Sequence, residues 1–251
     1  MAQITTAQPY AWPHDSSLSP LTTALVIIDM QKDFCTPGGY LSSQGYSLAP
    51  TTTIIPKIAA LLGLARDYSY HIFHTREGHR PDLSDLPARE LARSRNNPSQ
   101  LGIGDIGPMG RLLIRGEEGH AIIDELQPRF GEPVVDKPGK SAFTYTDFEL
   151  LLKVAGVRNL VIVGVTTDVC VHSTMREAAD RGFECVLVED ACGASVPELH
   201  QAAVEMVRTE GGIFGATARF EEVWSAMAVG ARKQRGGKAA GAPGGVWRSW
   251  V

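Results

Sequence analysis

Residues 159–180 read NLVIVGVTTDVCVHSTMREAAD, and this stretch decides the architecture. Leu160–Val163 is continuously apolar and mostly β-branched, the pattern of a parallel strand buried on both faces. It stops at Gly164. After a short turn the spacing becomes helical over Val169–Arg181, with Gly182 to end it and Cys170 at its very start. At a helix start, backbone N–H groups point outward and the dipole is positive; both favour thiolate over thiol. A strand, turn and helix that present a sulfur at the carboxyl edge of a sheet suit a nucleophile. The competing reading of Cys170 is a small buried core residue, the commonest state of a free cysteine. The rest of the chain must choose between them.

Working outward, further apolar runs alternate with helical patterns. Ala24–Asp29 (ALVIID), Tyr70–His74, Pro133–Asp136, Asn159–Gly164, Glu184–Glu189 and the short Ile213–Ala216 read as strands. Pro56–Arg66, Thr146–Val154, Val169–Arg181, Pro197–Thr209 and Phe220–Val229 read as helices. This alternation predicts an α/β fold with one parallel sheet and helices on both faces. Between them, 75–118 is irregular and rich in Gly and Pro, with a helical pattern only at Ala88–Ser94. Such long irregular segments are uncommon and usually functional or disordered. An active-site cover is favoured over a mobile surface insertion.

Residues 1–23 form a polar arm that Tyr10 and Trp12 are expected to pin, and 24–230 form the folded domain. Residues 231–251 are expected to be a flexible Gly/Ala-rich basic tail. At 251 residues and 43% hydrophobic, the chain suits one large domain. Its net charge of −4 gives no support for nucleic-acid or anionic-membrane binding. The four cysteines form no Cys-x-x-Cys pair and no disulfide framework, and no stretch reaches transmembrane length. The N-terminus carries no secretory pattern. A reduced, cytoplasmic protein is the expectation.

Ligands of such sheets bind at the carboxyl ends of the strands, where strand order reverses. Three polar residues share that rim: Asp29 after the first strand, Lys137 after the third and Cys170 beyond the fourth. A thiol, a carboxylate and an ammonium suffice for acyl transfer. Asp29 can take the thiol proton and return it to a leaving nitrogen, and Lys137 can hold both by charge. The N–H groups of Cys170 and the preceding turn can receive an oxyanion. Taken singly, Asp29 also suits a turn cap and Lys137 a solvated loop.

Three segments carry a more specific signal: ALVIIDMQKDF, VVDKPGKSAF and GVTTDVCVHSTMREAADRGFECVLVEDACGA. Their ordered set resembles the isochorismatase-like cysteine hydrolases over about residues 20–230. The resemblance implies a three-layer α/β/α fold with a six-stranded parallel Rossmann-like sheet, in dimers or tetramers. It implies a triad of Asp29, Lys137 and Cys170, with no cofactor. It also implies a cis peptide between Val165 and Thr166 that turns the Thr166 N–H toward the oxyanion.

Within that family, HTREGHRPDLSDLP and IGDIGPMGRLLIRGEEG resemble the biuret, triuret and ureidoacrylate amidohydrolases, which cleave small linear ureido amides. By this resemblance Phe34 walls the pocket and Lys140 binds a substrate carbonyl; an exposed loop lysine is the alternative. Arg76 and Arg80 face a carboxylate or carbonyl, or else solvent. Glu210 stands where a Gln is expected, and since an ionised carboxylate only accepts hydrogen bonds, this counts against biuret itself. The alternatives are a nicotinamidase, an N-carbamoyl amino acid hydrolase, an isochorismatase-type enzyme or a non-catalytic small-molecule binding protein. A nicotinamidase needs an Asp and His metal cluster near the second strand, and no Asp-x-His pair follows His74 and His79. No metal is therefore expected.

Overall fold

The computed structural model describes residues 2–238, with side chains to Arg232. Along the chain come β1 (Thr23–Ile28), α1 (Lys32–Cys35), α2 (Tyr40–Ser43), α3 (Ala49–Thr52), α4 (Ile55–Asp67) and β2 (His71–Glu77). Next are α5 (Ala88–Ser94), the small antiparallel pair β3 (Ile106–Gly107) and β4 (Gly110–Arg111), and β5 (Val134–Lys137). The chain continues through α6 (Phe148–Val154), β6 (Asn159–Val165), a π-helical turn (Thr167–Val171) and α7 (His172–Asp180). It closes with β7 (Glu184–Gly193), α8 (Pro197–Gly212), β8 (Ala216–Ala218) and α9 (Phe220–Lys238).

The main sheet has six strands in the order β5-β2-β1-β6-β7-β8, all parallel. Every residue of β1 and β6 is buried, as their unbroken apolar runs demand. Alternate side chains go to opposite faces. Leu25, Ile27, Val161 and Val163 join Leu61 and Leu62 of α4 and Val223 and Met227 of α9 in one core. Val26, Ile28, Leu160 and Ile162 join Phe148 of α6, Met175 of α7 and Val204 of α8 in the other. The result is the expected three-layer sandwich. Each fully buried aliphatic side chain contributes roughly 1.5–3 kcal/mol relative to exposure.

The order reverses between β1 and β6, which pair from Thr23 opposite Asn159 to Ile28 opposite Gly164. There Gly164 has φ +117°, and a Cβ on it would sit 2.1 Å from the Ile28 carbonyl oxygen. Glycine is what lets the two central strands stay this close where their carboxyl ends meet the site.

The N-terminal arm is pinned: Trp12 is fully buried, and Gln8 bridges Thr217 of β8. The 75–118 stretch packs on the body, with Ile103, Leu112 and Ile114 buried. Two boundaries differ from expectation. β2 runs to Glu77 instead of ending at His74, because pairing with β5 carries it through polar residues. α9 runs to Lys238 instead of ending at Val229, so the expected tail begins inside a helix. The rest of that tail, 239–251, lies outside the described residues. No helix among the described residues is long and apolar enough to cross a membrane.

Candidate active site

The carboxyl ends of four adjacent strands, β5, β2, β1 and β6, deliver Lys137, Glu77, Asp29 and Cys170 in that order. Parallel strands end side by side, so residues far apart in sequence become neighbours here. All four are deeply buried, at 0%, 5%, 0% and 3% exposure.

Asp29 leaves β1 with a left-handed backbone (φ +51°), which turns its side chain into the site. Its Oδ1 accepts the Thr75 hydroxyl at 2.6 Å, and its Oδ2 is 2.7 Å from Lys137 Nζ. Lys137 Nζ also donates to the Gly139 carbonyl at 3.1 Å and lies 3.8 Å from Glu77 Oε2. The Cys170 thiol donates to Glu77 Oε2 at 3.1 Å, and Lys140 Nζ holds Glu77 Oε1 at 2.7 Å. The reactive atoms of Asp29, Glu77 and Cys170 all lie within 4.8 Å of one another.

This donor set also has the character of a metal site, yet an ammonium already sits against both carboxylates. The charge that a divalent ion would bring is in place. His74 and His79 have their own carboxylates, Glu132 at 3.2 Å and Asp85 at 3.3 Å.

Two carboxylates and two ammoniums balance, so the sulfur fits this cluster as a neutral thiol. Burial raises the Cys170 pKa well above its ordinary value; Lys137 opposes that rise, and the Glu77 and Asp29 charges add to it. The thiolate expected from the helix start is therefore not the resting form. The helix start is a π-turn, with Val169 and Val171 N–H groups both on the Thr166 carbonyl, and burial together with the two acids outweighs the one lysine. Burial raises Asp29 against the pull of Lys137. Burial also acts to raise Glu77, but Lys137 and Lys140 outweigh it and bring it down to about 2. Lys137 is raised despite its burial by the charges of Asp29 and Glu77 beside it.

A cavity of about 210 Å³ opens onto the sulfur. Phe34, Glu77, Lys140, Thr166 and Cys170 line it, together with Tyr40, Gln44, Arg93, Asp168 and Ser195. The Val165–Thr166 peptide is cis. Phe34, Lys140 and Thr166 are thus brought together around this cavity.

Arg76 and Glu210 do not line this cavity. Arg76 points away from Glu77 on β2 and grips Asp136 of β5 through two bonds, 2.7 and 2.9 Å. Glu210 is exposed in the left-handed exit of α8 (φ +52°), so the argument it supplied against biuret lapses. Cys35, Cys185 and Cys192 are buried and none lines the cavity.

Sequence reasoning missed Glu77 and Arg93. The signal for Glu77 was present: Lys137 ends a strand, and Glu77 is its register partner on the neighbouring one. For Arg93 the Ala88–Ser94 helix was legible, but not which part of the body it packs on.

A buried sulfur, acid and ammonium at the switch point of a parallel sheet, facing a small cavity, define a cysteine hydrolase. The isochorismatase domain matches residues 23–219, and the chain belongs to that family.

Its relatives include ureidoacrylate amidohydrolase RutB of Methylobacterium radiotolerans, 31% identical over 92% of this chain and 89% of that one. RutB of Pantoea ananatis is 33% identical over 84% of this chain and 85% of that protein. A cysteine hydrolase from Pseudomonas syringae superposes with a TM-score of 0.71 at 25% identity, over 85% of this chain and 96% of that one. With these amidohydrolase relatives, the chain is a hydrolase of carbon–nitrogen bonds other than peptide bonds.

Proposed function

We propose that the protein is a cysteine-dependent amidohydrolase that cleaves a C–N bond of a small linear ureido-type amide through a thioester on Cys170. The observation that carries this reading is the Cys170 thiol at the cavity wall, bonded to Glu77 beside the Lys137–Asp29 pair. The ureido class draws support from the two relatives, both named for ureidoacrylate.

In this mechanism Glu77 aims the thiol and Asp29 is the base. Glu77, held at about 2, stores a proton poorly, whereas burial raises Asp29. The thiol proton passes to Asp29 as sulfur attacks the ureido carbonyl. Lys137 stays charged and offsets the negative charge left on the cluster. The carbonyl oxygen becomes an oxyanion, received by the Thr166 and Cys170 N–H groups, with Lys140 as a further donor. The tetrahedral centre collapses, the C–N bond breaks, and Asp29 returns the proton to the leaving nitrogen. Water then adds to the thioester with Asp29 as base, and the C–S bond breaks to restore the thiol. Whichever nitrogen leaves first, a terminal ureido group ends as carbon dioxide and ammonia once its carbamate decomposes.

Ammonia release from ureidoacrylate, biuret, triuret, N-carbamoyl amino acids and nicotinamide tests the reading. The expected result is turnover of one or more ureido compounds and none of nicotinamide. A preference for nicotinamide would overturn it, and tight binding of one compound without any turnover would favour a binding protein.

A further inference from the structure

The cavity is electrically lopsided. At its inner end Lys140 is neutralised by Glu77, whose other oxygen faces the thiol. A substrate anion there would meet Glu77 and Asp29 in a buried, weakly screening setting. The outer end differs. Arg93, 44% exposed where Cys170 is 3%, reaches the cavity from α5 beside the Tyr40 ring. Its Nε bonds Glu90 at 2.9 Å, and Glu90 is its only carboxylate partner among the described residues. Glu90 is itself shared with Arg89 at 2.7 Å and Lys140 at 3.8 Å. With Lys140 already held by Glu77, one carboxylate is left for two guanidiniums, and this balance leaves the mouth positive.

Arg93 is also held in position. The Gln44 amide donates to the carbonyls of Ser94 and Leu101, at 3.1 and 3.0 Å, and so ties the end of α5 to the cavity wall. Two other lining atoms, Asp168 Oδ1 and Ser195 Oγ, are buried without a hydrogen-bond partner. A carboxylate oxygen such as Asp168 Oδ1 only accepts, so it suits a substrate N–H and repels an anion, while the Ser195 hydroxyl can accept or donate. The polar groups of the cavity therefore sort by chemistry: acceptors and thiol for a ureido group, a guanidinium at the mouth for something negative.

We propose that Arg93 is a specificity residue that selects substrates carrying a carboxylate at the end opposite the ureido group. This rests on the ureido reading above and adds the second functional group to it. A guanidinium fork matches a carboxylate in two parallel bonds, which a lysine cannot reproduce. The ureido end then enters first and the acid stays at the mouth.

Calorimetric titration of the full chain carrying Cys170→Ala tests this without turnover. The probes are 3-ureidopropionate and its carboxamide, which differ only in the anion. The acid is expected to bind about 10- to 100-fold more tightly than the amide. Adding Arg93→Gln should erase that preference, and Arg93→Lys should restore part of it. Equal affinities for acid and amide, failure of the acid to bind, or a preference that survives Arg93→Gln would each overturn the proposal. If the acid binds in an Arg93-dependent way but the unaltered chain releases ammonia from none of the ureido compounds named above, the hydrolase reading fails and the role of Arg93 stands.

Discussion

The Cys170 thiol donates to Glu77 Oε2 at 3.1 Å, and the other oxygen of the same carboxylate is held by Lys140 at 2.7 Å. The thiol, the nucleophile in the mechanism we propose, is thus held by a residue outside the Asp29–Lys137 pair. Its reactivity depends on what removes that proton when substrate arrives.

Glu77→Gln should lower the pKa of Cys170, because a negative charge beside the sulfur is removed. Iodoacetamide labelling of Cys170 should then rise at lower pH than in the unaltered chain. Turnover should fall about 10- to 100-fold through misaimed sulfur and an unpaired Lys140. A labelling profile that does not move, or moves to higher pH, would contradict the role given to Glu77.

Asp29→Asn should be more damaging to turnover than Glu77→Gln. Removing a general base costs about 10²- to 10⁴-fold, and in the proposed mechanism one residue serves both half-reactions. Comparison of kcat for the two variants checks the order; a larger loss in Glu77→Gln would transfer the base to Glu77.

Lys137→Met should destabilise the fold by about 3–5 kcal/mol at neutral pH, since it strands Asp29 as an unpaired buried charge. Adding Asp29→Asn should recover much of that loss. Urea unfolding of the single and double variants measures it, and additive losses would argue against the pair.

Gly164→Ala should cripple the protein rather than tune it. Its φ of +117° and the Ile28 oxygen 2.1 Å from the added Cβ require β1 and β6 to separate. A loss of several kcal/mol in thermal unfolding is expected; near-native stability would mean the strands are further apart.

His120 carries a pH signature. Burial and the Arg76 charge lower it to about 4, against the opposing pull of Asp136. Between 6.5 and 4 the unfolded chain takes up a proton that the folded chain refuses, so its contribution falls as pH falls, by about 3 kcal/mol at most. Asp33, raised by burial to about 6, runs the other way: its folded form gains as pH drops from 6 toward 4. The difference between unaltered and His120→Gln chains isolates the histidine. Their stability gap should shift in favour of the variant as pH drops from 7 to 4.5; a constant gap would contradict a buried neutral ring.

Much of this site is legible in the sequence because it sits where apolar runs stop. Asp29 and Cys170 come after fully buried strands and Lys137 ends the short β5, and such endings are a local signal. Glu77 hides because the last four residues of β2, HTRE, are polar, and it is the pairing with β5 that carries the strand on to Glu77. Arg76 misled for a related reason: neighbouring strand residues face opposite ways, so only one of Arg76 and Glu77 can enter the cavity. Glu210 was assigned from a motif, and a left-handed turn at the end of α8 carries it out to solvent. The state of the thiol needed the count of charges around it, which no single segment contains.

The central claim is a covalent bond to one sulfur. Acid quenching during turnover of a ureido substrate, followed by mass spectrometry of the intact chain and its peptides, tests it directly. The account predicts a carbamoyl-type adduct on the peptide containing Cys170, absent in Cys170→Ala, which should have no activity. Turnover that persists in Cys170→Ala, or an adduct on Cys192 instead, would contradict it.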